Sequence, residues 1–176
     1  FGAFGELPFS TLRAADSDAS SRFLELLSNA AAERRFLVVV TPYKRATANT
    51  STFGYSTHGF TTDVTPAVVG LVAGDVLDAR VVNPLEFERT LVAGGVLGSR
   101  TLTTTGVVVL NNADGGLDNL TTDFAFEGRA VHVLMGGEDF SILDYGEVFG
   151  GLIDQVEYDF DSITLRLRDS GLGIER

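Results

Sequence analysis

A chain of 176 residues, 44% of them hydrophobic, has the apolar material for a buried core, and its length suits one domain with or without an appended arm. A formal net charge of −11 argues against a nucleic-acid partner, because a phosphate backbone is bound through Lys and Arg that release counterions. The absence of cysteine removes disulfides, thiolate metal sites and a Cys nucleophile, and no apolar run is as long as a membrane span, so membrane insertion is not expected.

Residues 1–16 mix Phe1, Phe4, Pro8 and Phe9 without a sustained period. They read as an extended arm that gains order by packing on something else, with Phe1, Phe4 and Phe9 as interface candidates. The stretch Phe1 to Glu6 has neither the basic start nor the apolar centre of a signal peptide, and the missing initiator Met points to processing or to a chain cut from a longer product. Residues 17–176 read as a single β-rich domain with a leading helix. Ser17 to Ser21 offer N-cap residues, and Phe23, Leu27, Ala30 and Ala31 recur at helical spacing, which predicts one amphipathic helix over 18–34. Arg34 and Arg35 then fall at its C-terminus, where cations favour the helix dipole; the alternative is an anchor for a partner.

From Phe36 the period changes to that of a strand. Phe36 to Thr41 is stopped by Pro42 and forms a hairpin with Ser51 to Ser56 across a flexible polar connection, Lys44 to Thr50. Further strands are expected at Asp78 to Val82, Phe87 to Leu91, Thr101 to Leu110, Arg129 to Leu134, Glu147 to Ile153 and Ser162 to Arg168. The last alternates most cleanly, with Ile163, Leu165 and Leu167 on one face and Thr164, Arg166 and Arg168 on the other. The fold class expected is mainly β, a β-barrel or sandwich, with one amphipathic helix near the N-terminus.

The cluster Asn111-Asn112-Ala113-Asp114-Gly115-Gly116-Leu117-Asp118 reads as a specified turn, in which Asn112, Asp114, Gly115 and Gly116 supply side-chain acceptors and left-handed backbone angles. Asp114, Asp118 and Asp123 are the candidates for a hard cation, but placing Gly115 or Gly116 at the sixth position of an EF-hand puts Leu110 or Ala113 where a ligand is needed. Zinc would have to rely on His58, His132 and carboxylates. His58, beside Thr57 and Asp63, invites a nucleophile–base reading; no Gly-x-Ser-x-Gly elbow occurs, and on a strand Thr57 and His58 would face opposite sides. His132 reads as a paired sheet residue. The acidic series Glu138, Asp139, Asp144, Glu147, Asp154, Glu157, Asp159 and Asp161 contains carboxylates enough for a glycosidase pair, yet the chain has no Trp to form a sugar platform. The sequons at Asn49 and Asn119 matter only in a secreted eukaryotic protein, and Gly136-Gly137 and Gly150-Gly151 lack the Lys and spacing of a phosphate loop. No catalytic residue, cofactor or metal is therefore expected.

Taken in order, the strand Phe36 to Thr41, Phe53 to Thr62, Ala79 to Leu91, Gly94 to Gly98, Gly106 to Asp118, Phe126 to Leu134 and Leu165 to Asp169 resemble the amino-terminal module of tail-tip and baseplate hub-type structural proteins of bacteriophages and prophages, also found in the tails of gene-transfer particles. The most specific pieces are the Asn-x-Asp-Gly-x-x-Asp corner from Asn112 to Asp118 and Gly128-Arg129 at the start of a strand. The resemblance covers roughly residues 30–170; the family usually continues beyond the Arg-Asp strand end, and residues 1–16 have no counterpart in it. It implies a non-enzymatic virion protein made in the host cytoplasm and built into the tail, a homo-oligomeric ring or hub subunit whose partners are other tail and baseplate proteins. A carbohydrate- or calcium-binding sandwich module of a viral particle is the alternative.

Overall fold

A computed structural model of the protein describes residues 16–61, 70–71, 74–88 and 105–169. The candidates Phe1, Phe4 and Phe9 lie outside these residues, as do 89–91 and 101–104 of two expected strands. In chain order the elements are α1 (Asp16–Ser28), β1 (Arg35–Val40), β2 (Tyr43–Lys44), β3 (Asn49–Thr50), β4 (Phe53–Ser56), β5 (Phe60–Thr61), β6 (Val76–Ala79) and β7 (Val81–Glu88). They continue with β8 (Thr105–Asn111), α2 (Asp118–Asp123), β9 (Phe124–Ala125), β10 (Ala130–Gly136), a 3-10 turn at Ile142–Asp144, β11 (Gly146–Tyr158) and β12 (Ser162–Asp169).

Nine strands form one sheet in the order β5-β6-β4-β1-β10-β11-β12-β8-β7, and β3-β2-β9 form a small second sheet. Only Arg80 separates β6 from β7. The same stretch therefore pairs in parallel with β4 at its start and antiparallel with β8 at its end, so the two sides of the sheet meet through residues 76–88 and the sheet curls into a barrel. Its interior alternates with the pleat: Val38 and Val40 of β1, Val131 and Val133 of β10, Val108 and Leu110 of β8, and Ile163, Leu165 and Leu167 of β12 share one core cluster. The face predicted for β12 is the face buried.

Strand β1 is covered on both sides. Leu37 and Val39 point outward into a second cluster with Leu71, Leu77, Leu134, Ile142 and Tyr145. A strand buried on both faces reads as an unbroken apolar run, as Phe36 to Val40 does. Helix α1 flanks this outer layer, where Arg22 binds Asp144 at 2.6 Å and stacks on Phe140 at 4.7 Å.

Three expectations are corrected. The helix ends at Ser28, short of residue 34, because the Ser28 hydroxyl donates back to the Glu25 carbonyl and the Asn29 side chain accepts the Ala31 amide, redirecting the chain into a turn. Arg34 and Arg35 thus do not cap a helix; Arg35 opens β1 and pairs with Glu138 at 3.1 Å. The polar connection is itself a miniature hairpin, with Tyr43 opposite Thr50 and Lys44 opposite Asn49. A second helix, α2, follows the glycine corner and is too short for its period to show in sequence.

Candidate functional site

One end of the barrel gathers the glycine corner, α2, β9 and the tip of the β11–β12 hairpin. The corner is built on Asn112, which is buried although polar. Its Nδ2 donates to Asp118 at 2.8 Å, its Oδ1 accepts the Leu117 amide at 2.8 Å, and its own amide donates to the Asp161 carbonyl at 2.7 Å. One residue thereby closes the corner and ties it to the hairpin tip. Leu117, held by that bond, drops into the barrel cluster together with Phe124 and Phe126 and plugs this end of the core. Gly115 has φ +66°, and a Cβ there would also lie 3.1 Å from the Asp118 carboxylate. Gly116 leaves room for the Arg80 guanidinium, which a side chain would displace.

Arg80, at the bend between β6 and β7, grips Asp114 in a two-pronged pair at 2.8 and 2.9 Å and donates to the Asn111 carbonyl. That hydrogen bond, with the Gly116 amide donating to the same carboxylate, holds the Asp114 carboxyl far below the usual range. The sequence reading missed Arg80. The signal was there in a cation isolated between two strand runs, but nothing in a linear sequence announces that it meets residues 34 positions away.

The three cation candidates are employed separately. Asp114 serves Arg80 and Gly116, Asp118 accepts from Asn112, and Asp123 lies beside Thr122 at 3.4 Å. Among the described residues no group of three His, Asp or Glu side chains is placed to hold a metal ion. Most of the acidic series is likewise paired: Glu138 with Arg35, Asp144 with Arg22, Glu147 with His132, Asp154 with Arg168, and Glu157 with Arg166. Asp159 and Asp161 flank the hairpin tip, where Asp159 accepts the Phe160 amide.

His132 sits opposite Val39 and Gly150 on the outer face, 2.8 Å from Glu147, with Gly150 leaving the space this pair fills. His58 departs from expectation. Strand β4 ends at Ser56, so strand alternation does not govern the next two residues, and His58 Nδ1 lies 3.1 Å from the Thr57 hydroxyl while Nε2 lies 3.3 Å from Glu33. The same hydroxyl accepts the Phe36 amide at 3.1 Å, and Ser56 donates to the His58 carbonyl. The cluster secures the end of β4.

Neither a protein-family model nor a curated protein matches the sequence. Among solved structures, the fold is similar to that of a chain in "Virion of native gene transfer agent (GTA) particle", with a TM-score of 0.52 and 12% identity over 88% of this chain. The match takes in 46% of that chain, so this protein spans less than half the length of its structural neighbour. At that identity the likeness is one of fold.

Proposed function

We propose that this protein is a structural component of a phage-like virion, incorporated at the tail tip or baseplate as one subunit of a ring or hub. The observation that carries the reading is the shared fold with a chain of a gene transfer agent virion, which agrees with the tail-module resemblance of the segment order. Supporting it, the described acidic and imidazole groups are spent on ion pairs and turn bonds. The arm, residues 1–16, would hold neighbouring tail proteins through Phe1, Phe4 and Phe9. Rings arise when a heterologous contact closes on itself, and an arm reaching the next subunit suits that geometry. A calcium- or carbohydrate-binding module would need its carboxylates turned toward a common point, whereas Asp114 and Asp118 face Arg80 and Asn112.

An electron-microscopy reconstruction of the parent particle tests the proposal. The expected result is density for this chain in several symmetry-related copies around the tail axis near its tip. A particle lacking the chain, or a single copy away from the tail, overturns it.

A further inference from the structure

The tip of the β11–β12 hairpin presents an aromatic ring to solvent. Phe160 is 94% exposed, and Tyr158 below it is half exposed. The tip is well held: the Asp159 amide donates to the Ser162 carbonyl, the Phe160 amide donates to Asp159, and the Asp161 carbonyl is anchored by Asn112. A lone exposed Phe is ordinary on a surface. This one stands beside a cleft of about 170 Å³ lined by Phe124, Phe126, Val156 and Tyr158, with Arg45 among its lining residues. A void of roughly 150 Å³ accommodates one benzene-sized ring. The ring of Phe160 does not occupy the cleft of its own chain, since it remains almost wholly in solvent.

Charge adds a second, independent complementarity. The tip reads Asp159-Phe160-Asp161, while the cleft is bordered by Arg45 and by Lys44, whose ammonium lies 5.9 Å over the Phe124 ring. On a chain of net charge −11, two adjacent cations with no carboxylate partner among the described residues form a local positive spot. An acidic tip with an aromatic end and a basic-edged aromatic cleft are complementary halves present on one chain.

We propose that this end of the barrel is a contact between copies of the protein: Phe160 of one chain enters the Phe124–Tyr158 cleft of a second, and Asp161 meets Arg45. The contact extends the assembly reading, on which it rests only in requiring that the chain meet its own copies. An aromatic anchor in a desolvated pocket, framed by charge pairs, is the usual composition of an interface hot spot.

Sedimentation velocity and light scattering on the purified protein, over a concentration series, provide the test. The expected result is a mass that rises above 18.8 kDa with concentration. Phe160→Asp and Arg45→Glu should each weaken self-association at least tenfold, with circular dichroism and melting temperature close to those of the parent. Asp161→Arg combined with Arg45→Glu should recover association relative to either single change. A protein that stays monomeric throughout the series overturns the proposal, and so does self-association indifferent to Phe160→Asp. If particles incorporate a monomeric protein in a Phe160-dependent way, the tip serves a different tail protein; this contact is then lost and the virion reading stands.

Discussion

The barrel interior and its glycine-cornered end are built on different physics. The interior is held by area: Val38, Val131, Val133 and Ile153 are fully buried, and any apolar side chain of similar volume serves the same purpose. The end is held by a few directed bonds, in which Asn112, Asp114 and Arg80 each have particular partners and Gly115 a particular backbone angle. Area burial tolerates substitution and fixes the fold. Directed bonds tolerate little and fix where one surface, the hairpin tip, is held.

The largest effect should come from the interior. Leu165→Ala, at a side chain 1% exposed, should lower the unfolding free energy by about 2–5 kcal/mol in urea titration. A loss below 1 kcal/mol would mean that the barrel is loosely packed there.

At the other end, Gly115→Val forces a β-branched residue into the left-handed region and against Asp118, and should cost about 1–3 kcal/mol by the same measurement. An unchanged stability would show that the corner relaxes without Gly and would remove the contrast between the two regions.

Asp114→Asn should act through pH. The carboxyl is held low by Arg80, so the folded state binds its proton less readily than the unfolded state, and the pair stabilises the protein above the ordinary aspartate value of about 3.9. That contribution is lost as pH falls from there through the lowered folded value. Melting temperature followed from pH 6 to acid should therefore fall less steeply in the variant; parallel curves would show that the pair does not matter to folding.

Two small effects complete the series. A chelator should leave melting temperature nearly unchanged, and a large drop would restore Asp114, Asp118 and Asp123 as a cation site. Phe160→Ser should change the stability of the monomer by no more than about 0.5 kcal/mol, because the ring touches little of its own chain.

Some of this was readable in the residues. Local pattern exposes what depends on neighbours in sequence: the alternation of Ile163, Leu165 and Leu167, the double-sided burial of Phe36 to Val40, the pairing of that run with Phe53 to Ser56, and the turn chemistry of Asn112 to Gly116. Helix length was misjudged because Ala30 and Ala31 keep the helical period while Ser28 and Asn29 end it through side-chain bonds, and the bonds prevail.

What the sequence by itself determined, then, is a β-rich chain with an apolar periodicity suited to one curled sheet, a leading helix and a glycine corner. Tertiary structure alone decided that a single bent stretch, residues 76–88, joins both sides of the sheet, that Arg80 at the bend meets Asp114, and that Phe160 stands beside a cleft it does not fill. The physical reason is separation along the chain. A strand's period is set by its own backbone, whereas its partners, and the carboxylate that a cation finds, depend on which distant segments the closed sheet brings within a few ångströms.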